Sequence, residues 1–479
     1  MKAALALDLG TTSISGVAVS EEGHIVAKVQ RANTAAVDHL PAGHAEQNPR
    51  QLRAIALQVL RELQKPLPWV PHCLGLTGQM HGLLLVDETR RPLSNLITWQ
   101  DRRANESMSP GEPSYLESYL SNCDETDLEN SGCRLAAGYL AVTLYLLSQR
   151  KQLPATASHA LFLADWIAAE LCDCLPVTDR SNAASSGVYN LQEDRWSAEL
   201  IEAGGFSPSL FPAVKESGTK IGELTSQVAA QTGLPAGLPV CNALGDNQAA
   251  VLGSVPSGDP SIQINVGTGG QINWPIDCFK RVDGMETRYL PHNRFMLVGA
   301  GLAGGDAYAW VNHTASEWLK SLGIELPREE IYARMNESAA LLTDENHGLI
   351  CDPLFRGTRR DPHARAAFSG IGYDNFTLGH VARSVLQGIA DGMYSFYDQA
   401  AESRPEHLRH IVGSGNGLRK NKLLIEILEK IFKREIRLPI HQEAAAFGTA
   451  LLAGSSTGLW PDLESAGSKI RLVSARDAD

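Results

Sequence analysis

The feature that most limits the possible folds is a strand–turn–strand device that occurs twice in the chain. Leu5, Leu7 and Leu9 alternate with Ala4, Ala6 and Asp8, so the chain opens as a strand with two unlike faces. Gly10-Thr11-Thr12-Ser13 is turn material, Ile14 to Val19 is extended again, and a turn at Glu21-Glu22-Gly23 leads to a third strand from Ile25 to Val29. This is a β-meander. Near mid-chain Ile262, Ile264 and Val266 alternate, Gly267-Thr268-Gly269-Gly270 turns, and Gln271 to Trp274 continues as a strand. Two copies of one glycine-threonine hairpin imply two units of similar fold, each presenting its turn to a shared cleft.

A chain of 479 residues exceeds what one core usually holds, so two domains are expected in any case. Leu234-Pro235-Ala236-Gly237-Leu238-Pro239 concentrates turn formers, which places the division at residues 1–240 and 241–479. Periodic apolar positions predict a helix over 378–400, with Val381, Val385, Ile389, Met393 and Phe396 on one face, and another over 422–432. The net charge of −12, with no run of basic residues, argues against a nucleic-acid partner. No apolar segment is long enough to span a membrane, and Asp8 interrupts the only signal-peptide-like start. Eight cysteines without a CxxC pair read as core thiols in a reducing compartment, so a cytoplasmic location is expected.

Transfer of a phosphoryl group needs donors for phosphate oxygens, a carboxylate for a metal, and a base beside the attacking hydroxyl. Gly10, Thr11 and Thr12 offer backbone N–H groups and hydroxyls for a phosphate, and Asp8 at the strand end is placed for hydrated Mg²⁺. Alone, such a hairpin is an ordinary turn; its repetition gives it meaning. Asp246 stands between the apolar strand Val240 to Leu244 and the helical Ala249 to Leu252, a corner that suits either a helix cap or a general base. Asn247 beside it could bind a sugar hydroxyl. Gln79-Met80-His81, between Gly78 and Gly82, forms a tight polar connection, and Trp99-Gln100-Asp101-Arg102-Arg103 ends another apolar strand with groups suited to a polyol. Either could equally be structural: a satisfied histidine in one case, an ion pair in the other. Gly413-Ser414-Gly415-Asn416-Gly417 suits close approach of a nucleotide to backbone. Gly299 to Gly304 spells GxGxxG, but its strand belongs to the second hairpin repeat, which argues against a dinucleotide fold. There is no GxxxxGK[ST], hence no P-loop.

Together these residues resemble the FGGY family of carbohydrate kinases, from Asp8 to about Gly454. Asp8 to Thr12 is similar to the family's first phosphate motif, Gly267-Thr268-Gly269 to its second, and Gly413 to Asn421 with Glu443 to Ala450 to its adenosine-side motifs; Ala366 to Gln387 fits its C-terminal signature. The resemblance implies an α/β fold of two actin-like, ribonuclease H-like domains flanking a nucleotide and sugar cleft. It implies ATP and Mg²⁺, with Asp246 as base and Asp8 as the metal residue. Gly10, Thr11, Thr12, Gly267, Thr268, Gly304, Gly305, Gly415, Asn416 and Asn421 would contact the nucleotide, and Gln79, Met80, His81, Trp99, Asp101, Arg103 and Asn247 the sugar.

Gly78 to Gly82 looks like the sugar turn shared by xylulokinases and sedoheptulokinases, while Thr98 to Arg103, and Thr143 where the family signature carries Lys, look more like the latter. The expected reaction is phosphorylation of a ketose at its terminal primary hydroxyl, sedoheptulose first and xylulose second. The partner is then a small sugar, with neither nucleic acid nor membrane, and homodimerisation is left open. From other classes, an actin-like ATPase without a sugar would give the Gln79 to His81 and Trp99 to Arg103 turns no task, and a nicotinamide oxidoreductase rests on the GxGxxG match alone.

Overall fold

The structure is a computed structural model that describes residues 1–64, 69–342, 348–355, 357 and 364–477. Two seven-stranded sheets dominate it. In the first, the meander Lys2–Leu9, Ser13–Ser20 and Ile25–Ala32 is antiparallel, and Val70–Gly78 then Pro239–Cys241 continue in parallel from Lys2–Leu9. In the second, Ile262–Val266, Gly269–Ile276 and Arg294–Ala303 form the same meander, followed in parallel by Ile411–Ser414 and Ile436–Pro439. The repeat seen in the hairpins therefore extends to a five-strand topology. The second sheet adds one edge strand, Glu286–Leu290, beyond its meander. Because Arg294–Ala303 has antiparallel neighbours on both sides, the GxGxxG segment lacks the parallel βαβ setting of a dinucleotide site.

Leu5, Leu7 and Leu9 pack on one face of the first sheet with the helix Pro49–Leu63, which starts at the Asn48 cap with Pro49 in its first turn. The opposite face carries Ala4, Ala6 and Gly75. This small-residue face accepts the helix Ala444–Ser456, drawn from the far end of the chain: a Cβ added at Gly75 would lie 2.9 Å from Ala453 Cβ. That helix also crosses Asp246–Ser254 glycine to glycine. A Cβ at Gly448 would sit 2.1 Å from the Ala249 carbonyl oxygen, and one at Gly253 would sit 1.9 Å from that of Ala444. The two helices are thus locked backbone to backbone between the sheets.

Between Val70–Gly78 and Lys220–Glu223 the chain builds a satellite of short helices with its own core, including Leu83, Tyr119, Leu144 and Phe162. Contacts from this insertion to the second sheet converge on its edge strand. Tyr289 Oη donates to Glu216, which also pairs with Arg180; Arg281 pairs with Glu129; and the Arg134 amide donates to Glu286. All eight cysteines are free thiols, and among the described residues no helix is long and apolar enough to cross a membrane.

Candidate active site

Strand register assembles the site. Asp8 pairs with Thr77 and Leu9 with Gly78, while Leu244 and Gly245 pair with Thr77 and Gly78 from the other side. Three neighbouring strands therefore end together, and the residues there, Asp8, Gly10, Gln79 and Asp246, emerge along one sheet edge. Gly78 and Gly245 make the close spacing possible: a Cβ at Gly78 would lie 2.8 Å from Leu9 Cβ, and one at Gly245 would lie 2.5 Å from Met80 Sδ. Buried Met80 is thereby held against the turn into Asp246.

Asp246 opens its helix after a Gly245 cap that supplies no side chain, so it is not the cap itself. Burial pushes its carboxyl up to about 6, opposed by the Asn247 amide and by the Arg288 charge. Asp8 goes further, to about 7, because burial is joined by repulsion from Asp246 and Glu443. Its Oδ1 is shielded and has no hydrogen-bond partner among the described residues. An orphaned carboxylate oxygen in a negative field is the kind of group a hydrated divalent cation satisfies. No trio of His, Cys, Asp or Glu among the described residues could hold a metal ion directly. One carboxylate facing a cation carried by water and phosphate fits these residues.

The first hairpin is tied to the Gln79 loop. Trp99 Nε1 donates to Thr11 Oγ1 (3.1 Å), Thr11 Oγ1 donates to Gln79 Oε1 (3.3 Å), and Gln79 Nε2 donates to Gln47 (2.9 Å). Thr12 is exposed beside it. His81, in the left-handed region at φ 71°, stacks on Tyr139 at 4.0 Å and makes a hydrogen bond through Nδ1 to the Ser185 carbonyl. Asn247 is half-buried next to Asp246.

Asp101 and Arg103 are arranged differently. Asp101 is fully buried, and its oxygens accept from the Ala45 amide and from the Arg103 amide and guanidinium, while Arg103 also pairs with Glu46. They form an internal clasp that sets the Trp99 turn, in place of the open polar pair that the sequence suggests.

On the second sheet, Gly267, Gly304 and Gly305 converge. The Gly305 amide donates to the Gly267 carbonyl (2.9 Å), and a Cβ at Gly304 would lie 2.4 Å from Gly269 backbone. Thr268 is exposed at the tip of this cluster, where the helix Gly305–Ser321 begins. Gly415, at φ 87°, lies against Val266, and Asn416 is exposed just after it. These residues form a glycine-walled edge with a helix N-terminus, a natural phosphate-binding surface.

Asn421 stands apart. It is buried, caps the helix Lys422–Phe432 through Leu424 N, and donates to Asn336. The Glu443 to Ala450 segment is seated against the first sheet: Glu443 pairs with Lys28 and approaches Ser15 and Asp8. The reason is the alanine and glycine run after it, which fits only between two closely spaced layers.

Arg288 and Gln248 escape a reading of the sequence. Both are buried, with polar atoms that have no partner among the described residues, Nη1 in Arg288 and the whole amide in Gln248. Gln248 lies two residues past Asp246 and could have been noticed; Arg288 sits on an edge strand with no turn motif to announce it.

Two sheets of matched topology and the fold shared with solved sugar-kinase structures make this an actin-like two-domain α/β protein. The description "FGGY family of carbohydrate kinases, N-terminal domain" matches residues 3–253, and its C-terminal counterpart matches residues 264–457. The chain belongs to the FGGY family of carbohydrate kinases, and ATP is the phosphoryl donor that this family membership implies. A sedoheptulokinase of Mus musculus is 28% identical, with 94% of this chain and 96% of that protein aligned. The fold is shared with ligand-bound xylulose kinase from Lactobacillus acidophilus, at TM-score 0.87 and 20% identity, covering 99% of this chain and 93% of that one. It is shared too with Plasmodium falciparum glycerol kinase with ADP, at TM-score 0.83 and 20% identity, covering 100% of this chain and 93% of that one.

Proposed function

We propose that the enzyme transfers the γ-phosphoryl group of ATP to the terminal primary hydroxyl of a ketose, with sedoheptulose as substrate and the 7-phosphate as product. The observation that carries this reading is the common strand edge that brings Asp8, Gln79 and Asp246 together. The aligned relative named a sedoheptulokinase supports the choice of sugar. Xylulose is the second reading, favoured by the Gly78 to Gly82 turn, which resembles that of xylulokinases.

Asp246 is the general base in this scheme. Its carboxylate accepts the proton of the sugar hydroxyl as the hydroxyl oxygen attacks phosphorus. A carboxyl raised to about 6 is ionised at neutral pH yet more basic than an ordinary aspartate. Gln79, Met80, His81 and Asn247 line the sugar's path, with the His81–Tyr139 stack as an apolar wall. Trp99 bridges sugar and phosphate regions through Thr11, and the Asp101–Arg103 clasp holds it there. Backbone amides of Gly10 to Thr12 and Gly267 to Thr268, and the helix start at Gly304-Gly305, cradle the phosphates, with Gly415 and Asn416 beside the nucleoside. Asp8 would face hydrated Mg²⁺, which when bound neutralises charge on the triphosphate. The first sheet keeps Pro239–Cys241 and Leu244–Gly245 and so extends past the division at 240 expected from the sequence. In this division of labour the first sheet binds the sugar and the first hairpin phosphate and presents the base Asp246, and the second sheet contributes the nucleotide surface. The helix Ala444–Ser456 is the piece of the second part that seats on the first.

The test is ADP release, by a coupled assay, with sedoheptulose, xylulose, glycerol and gluconate. Sedoheptulose should give the highest kcat/KM. If neither ketose raises ADP release above the sugar-free rate, the assignment fails.

A further inference from the structure

Arg288 is a charged side chain that the sugar-kinase scheme above does not use. It is buried on the edge strand Glu286–Leu290, and Glu286 accepts from its Nε (3.0 Å) and its Nη2. The second Glu286 oxygen accepts from the Arg134 amide of the insertion. The guanidinium is thus gripped from one side, which fixes the direction of Nη1, and Nη1 has no partner among the described residues. The helix Arg180–Ser185 packs against this strand, and the same helix bonds His81 through the Ser185 carbonyl and takes a hydrogen bond on Ser181 Oγ from the Gly245 amide, just before Asp246. One edge of the proposed sugar pocket is therefore bounded by a rigid, pre-oriented donor.

A buried donor without a protein partner is completed by ordered water or by a ligand, and a pre-oriented one beside a substrate site is placed for the ligand. We infer that Arg288 is a specificity-determining residue whose Nη1 donates a hydrogen bond to a sugar oxygen close to the hydroxyl that is phosphorylated. The inference rests on the sugar-kinase reading and adds to it a substrate contact from the second sheet.

Local charge identifies the ligand class. Arg288 and Glu286 cancel, and Asp246, Asp8 and Glu443 leave the surroundings negative. A neutral polyol oxygen is welcome at this position, whereas an anionic group on the same carbon is repelled. The site therefore selects an acceptor with a hydroxyl on the carbon next to the reacting one over an analogue that lacks that hydroxyl.

The test uses the full chain with Mg·ATP. Arg288→Met would leave Glu286 buried without its partner, so it is combined with Glu286→Gln, and Arg288→Lys is made alongside. The double variant should raise the ketose KM at least tenfold, with the ATP KM within twofold of wild type; Arg288→Lys should fall between the two. A merely structural role would move both KM values or the melting temperature instead. A folded double variant with an unchanged ketose KM overturns the inference.

A crystal structure of wild-type enzyme with bound ketose decides the matter even if the variants do not fold. A sugar oxygen within hydrogen-bonding distance of Nη1 is expected; none within 3.5 Å would be contrary. Equal kcat/KM in wild type for the ketose and for its analogue deoxygenated at the carbon next to the reacting one would refute the neutral-polyol assignment. Should wild-type enzyme phosphorylate no sugar, the kinase reading itself has failed, an outcome distinct from turnover that ignores Arg288.

Discussion

Replacing Asp8 with asparagine should stabilise the metal-free protein while removing its metal-dependent activity. Burial, Asp246 and Glu443 raise the Asp8 carboxyl from 3.8 to about 7. The unfolded chain loses this proton near pH 3.8, and the folded chain keeps it until about pH 7. Folding is therefore favoured by the retained proton at low pH, and that contribution is lost as pH rises through the interval. At roughly 1.36 kcal/mol per tenfold factor, full ionisation costs the fold about 4 kcal/mol. Because the site is partly open to solvent and coupled to Asp246, about 2–4 kcal/mol is the working range. Asparagine mimics the protonated form and does not titrate. Urea unfolding with EDTA and no nucleotide should show Asp8→Asn ahead by about 1–1.7 kcal/mol at pH 5, where the unfolded Asp8 is already ionised, and by about 2–4 kcal/mol at pH 8. Adding Mg·ATP should then favour wild type. An Asp8→Asn protein less stable than wild type at pH 8, or with a lead that does not grow from pH 5 to pH 8, would refute the electrostatic reasoning.

Two further outcomes follow from the same geometry. With Mg·ATP saturating, kcat/KM for the sugar should fall about tenfold per pH unit below pH 6, where Asp246 becomes protonated; a flat profile down to pH 5 would exclude it as the titrating base. Gly448→Ala would press a methyl group to 2.1 Å from the Ala249 carbonyl oxygen. It should cost about 1–3 kcal/mol in stability and lower kcat by displacing the Asp246 helix, measured by thermal unfolding and steady-state rates.

Much of the architecture was legible because it follows from period-2 patterning and turn chemistry. The two meanders, the helix Leu378–Gln399 and the helix Lys422–Phe432 stand where the pattern predicts them. So does the corner at Asp246, since an apolar strand running into a helical stretch leaves little freedom. The apolar strand expected over 240–244 is broken, however, into Pro239–Cys241 and Leu244–Gly245. Asn242 interrupts it, its side-chain amide donating to the carbonyls of Thr178, Lys215 and Glu216. Side-chain roles were harder to read where tertiary partners decide them. Asp101 and Arg103 look like sugar ligands until Ala45 and Glu46 are brought against them. Asn421 looks like a nucleotide contact but serves as a helix cap. Neither the seating of Ala444–Ser456 on the first sheet nor the place of Arg288 could be read locally, because each depends on residues far away in the chain, Arg134 in the case of the Arg288–Glu286 pair.

The most direct measurement compares wild type and Asp246→Asn for ADP release with sedoheptulose and, on the same samples, for ATP binding by calorimetry. Wild type should turn over well above its sugar-free rate, and the variant should bind ATP with similar affinity while losing a factor of about 10²–10⁴ in kcat. Wild-type-like turnover by Asp246→Asn would contradict the placement of the base at the shared strand edge.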